Sequence, residues 1–96
     1  MVPSVFKEKN KLELEEIKVK GISGIEHYIK VVKDGDSVFL YAELDEPRIE
    51  DIISILAIAV DTKLKPYFVV KSGNIPEEWI SEIKKFGGKI TYSLAN

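Results

Sequence analysis

The hydrophobic pattern of the sequence changes its period at Pro47, and this change limits the folds that the chain can adopt. Before Pro47, apolar and polar residues alternate, as they do in a half-buried strand. After Pro47, apolar residues recur every three or four positions, as they do on one side of a helix. The short apolar runs "KPYFVVK" and "KITYSL" then indicate two further strands. The pattern therefore predicts an α/β fold.

Three strands are predicted in the first half of the chain. The segment "KLELEEIKVK" predicts a strand with a bulge at Glu15 and Glu16, where the alternation changes phase. The glycines of "GISG" mark a turn, and "IEHYIKVVK" alternates as a second strand, with Ile29 and Val31 on one face. The motif "DGD" is typical of a hairpin turn, so "SVFLYAEL" is predicted to pair antiparallel with the second strand.

The second half of the chain predicts two crossovers. A helix of about four turns is predicted after Pro47, and Asp45 or Glu46 is predicted to cap or flank its start. The apolar residues that predict it are Ile49, Ile52, Ile53, Leu56, Ala57, Val60 and Leu64. A second helix follows in "EEWISEIKKF" and ends at Gly87 and Gly88. Because a strand, helix, strand unit crosses over with a right hand, the whole is predicted to be a mixed sheet of about five strands in a two-layer or three-layer, nuclease-like core.

Composition limits the class of protein. A chain of 96 residues is expected to form one domain, here residues 11–96 after a flexible N-terminus at 1–10. The formal net charge of -2 leaves no global attraction for nucleic acid, so a contact with a polyanion has to be local. The absence of cysteine excludes disulfides, thiolate zinc sites and cysteine nucleophiles. No apolar run reaches the roughly 18 residues that span a bilayer, so a cytoplasmic location without membrane contact is expected.

The segment "FLYAELDEPRIED" at 39–51 contains five carboxylates, which are Glu43, Asp45, Glu46, Glu50 and Asp51. One hypothesis is a metal-dependent nuclease in which Asp36, Glu43 and Asp45 hold Mg²⁺ and a nearby lysine helps to activate water. The lysine of such a site is expected two residues after Glu43, where this chain has Asp45. In the other interpretation Asp36 belongs to the turn, and the positive end of the following helix is complemented by Asp45, Glu46, Glu50 and Asp51. Only Glu43 has no role in that interpretation.

Other chemical groups are sparse. His27 is the only histidine, and a single histidine on the apolar face of a strand is more often a packed residue with one hydrogen bond than a catalytic base. Lys63 and Lys65 follow the first helix, where they complement its dipole or bind phosphate. Lys84, Lys85 and Lys89 form a second basic region with the same two interpretations.

Residues 38–70, "VFLYAELDEPRIEDIISILAIAVDTKLKPYFVV", resemble the C-terminal domain of the archaeal and eukaryotic tRNA-splicing endonucleases. A weaker match at "GISGIEHYIKVV" and a last strand of the type "KITYSL" extend the resemblance to about two thirds of the chain. The resemblance implies a part in RNA cleavage. Members of that family cleave RNA without a metal, with a Tyr, a His and a Lys as catalytic residues. They work as assemblies in which some subunits are structural.

This sequence departs from the active members of that family. Lys63 or Lys65 falls near the position of the family's lysine, but the hairpin has only "KDGDS" in place of the loop that carries the catalytic histidine. Tyr28 and Tyr41 match the family's tyrosine poorly. The chain also lacks the N-terminal domain of the full-length catalytic subunits and adds the helical segment "IPEEWISEIKKFGG". The resemblance therefore implies a short, non-catalytic structural subunit that supports a catalytic partner acting on intron-containing precursor tRNA.

The resemblance also implies specific contacts. Lys63 and Lys65 would meet RNA phosphates, and the partner interface would use the last strand at Ile90, Tyr92 and Leu94 together with an acidic loop at Glu77 and Glu78. No catalytic residue, metal or cofactor is predicted for this chain. The alternatives are a divergent metal-dependent nuclease with Asp36, Glu43 and Asp45 as ligands, and a small protein-interaction module.

Overall fold

The structure is a computed structural model that describes residues 13–93. The proposed N-terminal segment 1–10 therefore lies outside the described residues. The elements, in chain order, are β1 Leu14–Lys20, β2 Glu26–Asp34, β3 Ser37–Leu44, α1 Ile49–Thr62, β4 Lys65–Val70, α2 Glu77–Lys85 and β5 Lys89–Tyr92.

The five strands form one sheet in chain order, β1 to β5. The pairs β1–β2 and β2–β3 are antiparallel, whereas β3–β4 and β4–β5 are parallel and each joined by a helix. Both crossovers advance in the same direction, so the right-handed rule places both helices on one face of the sheet. In agreement, side chains of α1 and α2 share one hydrophobic cluster with β3 and β4. The predicted α/β domain with a mixed five-stranded sheet is confirmed.

The β2–β3 hairpin has the turn that "DGD" predicts. Gly35 and Asp36 form the turn, and Gly35 has φ 66°, a value that costs glycine little because it has no Cβ. The register from Asp34↔Ser37 to Lys30↔Tyr41 sets which side chains share a face. Ile29 and Val31 face the helices, as predicted.

The bulge predicted in the first strand is wrong. The register of β1 with β2 runs without interruption from Leu14↔Val32 to Lys20↔Glu26. Ile17 and Val19 pack towards the helices, whereas Leu14 lies on the other face of the sheet, opposite Val32. The change of phase in the sequence therefore marks an apolar contact on the second face and not an inserted residue.

Helix α1 buries a narrower stripe than the sequence pattern suggests. Ile52, Leu56 and Ala59 are buried, whereas Ile49, Ile53 and Val60 are 45%, 50% and 52% exposed. One sheet face contacts only part of the circumference of a helix, so a wide apolar pattern leaves some of its members in solvent.

The ends of the helices differ from each other. Arg48, in an extended conformation, precedes α1 and no side chain caps the helix. Asp45 and Glu46 therefore flank the start of the helix without capping it. Glu50 and Asp51 in the first turn complement the helix dipole instead. At the end of α2, Gly87 has φ 76° and Gly88 donates its N–H to Ile83 O at 2.9 Å, as the Gly-Gly pair predicts. Neither helix within residues 13–93 is long and apolar enough to cross a membrane.

Candidate functional site

Lys63 and Lys65 lie at the amino end of β4, at the same end of the parallel strands as the β2–β3 turn. Lys63 ends α1 in a left-handed conformation with φ 62°, and its N–H donates to Val60 O at 3.3 Å. Lys65 begins β4 opposite Phe39 of β3. Both lysines are exposed. They therefore reach solvent from adjacent points, Lys63 from the helix end and Lys65 from the sheet.

The second basic region is partly neutralised. Lys89 binds Asp34 of the hairpin, and this hydrogen bond raises the pKa of Lys89 above its ordinary value. Lys85 Nζ lies 3.3 Å from Glu82 Oε2 on the same helix. These pairs leave less positive charge near α2 than the lysine count suggests.

The structure does not bring Asp36 together with Glu43 and Asp45. Asp36 lies in the hairpin turn and Glu43 near the opposite end of β3, seven positions later, which is about 23 Å along a strand. A single Mg²⁺ holds its ligands at about 2.1 Å, so these two carboxylates cannot share one ion. Within residues 13–93, no three His, Asp or Glu side chains are arranged to hold a metal ion.

Glu43 instead has a partner on the neighbouring parallel strand. Lys71, directly after β4, places its Nζ 3.3 Å from Glu43 Oε2. Sequence reasoning searched for this lysine on β3 and missed it. The signal is present in the parallel register, because Glu43 is opposite Val69 and Lys71 is two residues further on the same face.

An open cleft of about 730 Å³ lies beside this pair, where β3 and β4 end and α1 begins. It lies at the carboxyl ends of the two parallel strands. The loops are tied together there, since Ser72 N and Ser72 Oγ both donate to Asp45 O, at 3.0 and 2.8 Å. The cleft is lined by Glu43, Leu44, Asp45, Glu46, Arg48, Asp51, Ser54, Ile55 and Ser72.

His27 belongs to a hydrogen-bonded cluster with Ser23 and Asp61, here called the latch. Its Nε2 lies 2.7 Å from Asp61 Oδ2, and Asp61 also accepts bonds from Ser23 N and Ser23 Oγ, both at 2.8 Å. The bond from His27, followed by those from Ser23, lowers the pKa of Asp61 below its ordinary value. Ser23 donates to the carboxylate and not to the imidazole, so this is not a Ser–His–Asp relay. It ties the β1–β2 turn to the end of α1.

The glycine that precedes this latch makes room for it. A Cβ on Gly21 would lie 1.9 Å from Asp61 Oδ2, a distance that no side chain could accept without moving the carboxylate. His27 and Asp61 are each 16% exposed in their side chains. The interpretation of His27 as a packed residue with one hydrogen bond is confirmed.

The predicted docking residues separate into two groups. Glu77 and Glu78 are exposed in the first turn of α2, and Tyr92 lies close to them because its hydroxyl accepts the N–H of Ile75 at 3.4 Å. Ile90 is different, since its side chain is partly buried against the main core cluster and faces the helices. Leu94 lies outside the described residues.

The face of the sheet opposite the helices carries aromatic rings. Tyr41 and Tyr67 are paired across β3 and β4, with ring centroids 6.3 Å apart and planes at 29°. Phe39 meets Tyr67 edge to face at 5.8 Å, and Lys89 Nζ lies 5.4 Å from the Phe39 centroid. Burial, followed by the charge of Glu43, raises the pKa of Tyr41 above its ordinary value.

These features define the class of the protein: an α/β domain with a five-stranded mixed sheet in the order β1 to β5 and two crossover helices on one face. A comparison with solved structures finds this fold in the crystal structure of AF1548, a protein of unknown function, with a TM-score of 0.69 and 15% sequence identity. The match covers 95% of this chain and 54% of that one, so the chain spans about half the length of AF1548. At this identity the likeness shows the fold alone. No family model and no curated protein matches the chain.

Proposed function

We propose that the chain is a non-catalytic, structural subunit of a tRNA-splicing endonuclease that supports a catalytic partner. The observation that carries the proposal is the β2–β3 connection, where Gly35 and Asp36 form a tight turn and leave no loop for a catalytic base. His27, the only histidine of the sequence, is engaged by Asp61. A metal-free reaction that needs a Tyr, a His and a Lys together would therefore take place on the partner.

The contact with RNA in this proposal is made by Lys63 and Lys65. Both are exposed and lie at one end of the parallel strands. Lysines bind phosphate as point charges and orient a nucleic acid without reading its bases. Such a contact suits a subunit that positions the precursor tRNA for another chain.

Docking to the partner uses the edge formed by β5. This strand has four residues and pairs with β4 on one side. Within the described part of the chain its other side has no strand beside it, and such an edge can pair with a strand of another protein. The carboxylates of Glu77 and Glu78 supply negative charge near Tyr92, which favours a basic surface on the partner.

The test measures cleavage of intron-containing precursor tRNA by the chain alone, by a catalytic subunit alone and by both together, with and without EDTA. We expect cleavage to require both proteins and to resist EDTA. Neutralising the docking charges by Glu77→Gln with Glu78→Gln should weaken the stimulation. The matched control is Glu50→Gln with Asp51→Asn, which neutralises the first turn of the other helix. Cleavage by this chain alone, or a partner equally active without it, would contradict the proposal.

A metal-dependent nuclease is the second candidate, and the Glu43–Lys71 pair favours it. The pair supplies, from two adjacent parallel strands, one of the carboxylates and the lysine of the nuclease hypothesis, without Asp36. In this function Glu43 would bind Mg²⁺ with substrate phosphate and water, and Lys71 would help to activate that water. The neighbouring cleft has room for a phosphodiester.

This second candidate is tested with labelled RNA and DNA in Mg²⁺ or Mn²⁺. We expect Glu43→Gln and Lys71→Met each to abolish hydrolysis, and EDTA to stop it. Glu82→Gln and Lys85→Met are the matched controls, because that pair has the same 3.3 Å separation on an exposed helix. Hydrolysis that survives Glu43→Gln, or that needs no metal, would exclude the second candidate. A chain that shows neither cleavage nor stimulation would be assigned to the protein-interaction modules.

A further inference from the structure

We propose that the helix-free face of the sheet binds a single-stranded nucleic acid, with bases stacked on Tyr41 and Tyr67 and a phosphate held by Lys30. The inference goes beyond the proposed function, because it concerns the isolated chain and needs no partner subunit. It rests on strand register, ring geometry and charge.

Strand register places the four side chains in one row across the sheet. Lys30 is opposite Tyr41, Tyr41 is opposite Tyr67, and Tyr67 is opposite Lys89. Neighbouring strands are about 4.8 Å apart, so the row extends over roughly 14 Å. Lys30 and the two tyrosine rings therefore lie on a line perpendicular to the strands, whereas the ammonium group of Lys89 is held by Asp34 of the hairpin.

The rings are positioned in advance of any ligand. Tyr41 and Tyr67 are half-buried with their planes at 29°, and Phe39, on the same face of the sheet, makes an edge contact with Tyr67. Their backbone lies in the middle of a five-stranded sheet, which restricts motion of the rings. Stacking on aromatic side chains tolerates any base, since every base has a π-face. The platform therefore favours single strands, whose bases are free to stack, over duplexes.

The charge on this face is opposite in sign to that of the whole chain. By the alternation of side chains along the strands, the face carries six lysines and four carboxylates, a net charge of +2, whereas the chain has a net charge of -2. Such a local excess is what a contact with phosphates requires. The lysines are Lys18, Lys20, Lys30, Lys65, Lys71 and Lys89, and the carboxylates are Glu16, Glu26, Asp34 and Glu43.

A further stacking position extends the platform towards β1. Tyr28 is 79% exposed, and Lys18 Nζ lies 5.8 Å from its ring centroid. A depression of about 430 Å³ adjoins this ring and is also lined by Lys30. An exposed ring beside Lys18 and Lys30 offers a base a stacking surface and a phosphate a charge, so the bound strand would turn at Lys30 from the row and continue along β2 to Tyr28.

The experiment measures fluorescence anisotropy of labelled oligouridine, its deoxy counterpart and a duplex of the same length, each titrated with the full chain at several salt concentrations. We expect both single strands to bind more tightly than the duplex. Tyr41→Leu should weaken single-strand binding by about 5-fold or more, the loss that follows removal of one stacked base. Phe86→Leu is the matched control, since Phe86 is 39% exposed at the end of α2 and should leave the affinity unchanged.

Salt dependence tests the lysines separately. Lys30→Ala should reduce the slope of log affinity against log salt by about 0.7, the value for one phosphate contact on a single strand, whereas Lys84→Ala on α2 should not. Circular dichroism confirms that each variant is folded. The proposal is overturned if no single strand binds, if the duplex binds equally well, or if Tyr41→Leu and Phe86→Leu behave alike. It is also overturned if this face joins two copies of the chain, seen as a dimer in sedimentation that Tyr41→Leu dissociates.

Discussion

The substitution Gly88→Ala is predicted to destabilise the domain by pushing β5 away from β4. Gly88 immediately precedes β5, and a Cβ at this position would lie 2.8 Å from Ile83 Cγ2, 2.8 Å from Pro66 Cγ and 2.9 Å from Pro66 O. Ile83 and Pro66 are both completely or almost completely buried. The added methyl group therefore meets the core of α2 and the backbone of β4 together.

The loss in the free energy of unfolding depends on which neighbours of the added methyl group can move. A flexible side chain could rotate away, but the Pro66 carbonyl belongs to the sheet and moves only with β4. Overpacking of a core by one methyl group typically costs about 1–3 kcal/mol. Because a domain of this size has a free energy of unfolding of about 5–14 kcal/mol, this is a sizeable fraction of the total. With about 4–8 °C per kcal/mol for domains of 60–100 residues, the midpoint of thermal unfolding should fall by roughly 4–24 °C.

The assay is urea unfolding followed by circular dichroism, with Gly24→Ala as the matched control. Gly24 has φ 90° and nothing within 4 Å of its added Cβ, so that substitution introduces backbone strain without a clash. It should cost about 1 kcal/mol. If Gly88→Ala were as stable as the unchanged protein, the packing of α2 and β5 against Pro66 would be refuted.

Three further predictions concern the latch, a helix end and the core. Asp61→Asn should lower stability near neutral pH, and the difference from the unchanged protein should shrink as the pH falls below about 4, because the lowered pKa of Asp61 stabilises the fold only while the carboxylate is charged. Urea unfolding across pH measures this, and a difference that stays constant down to pH 2 would contradict it. Lys63→Gly should raise the free energy of unfolding by about 0.5–1 kcal/mol, since glycine adopts the left-handed conformation without strain, and Lys84→Gly inside α2 should lower it. Phe68→Ala should cost about 3–5 kcal/mol, because Phe68 is fully buried in β4, whereas the half-buried Tyr67→Ala should cost less; equal losses would mean that the two faces of the sheet are packed alike.

The sequence contained enough information for the elements and their order. The hairpin followed from alternation and "DGD", and α1 followed from the change of period after Pro47, because each signal lies within a few neighbouring residues. The direction of the crossovers followed from a general rule of chirality. The bulge in β1 was wrong because alternation cannot tell an inserted residue from an apolar side chain on the second face.

The candidate sites were less accessible from the sequence. The partner of Glu43 is Lys71, 28 positions later, and the partner of His27 is Asp61, 34 positions later. Both pairs bridge elements that the chain places together only after a crossover helix has packed. The partial burial of Ile90 against the core cluster likewise depends on how the helices pack on the sheet.

By itself, the sequence determined the strands, the helices, the tight hairpin turn and the single domain, because propensity and periodicity act between residues that are close in the chain. Only the tertiary structure decided that Asp36, which precedes β3, and Glu43, near its end, are far apart, and that Lys71 pairs with Glu43. It also decided that one row across the sheet contains Lys30, Tyr41, Tyr67 and Lys89. The physical reason is that these contacts depend on the register between strands, and register is set by the packing of the whole sheet against its helices.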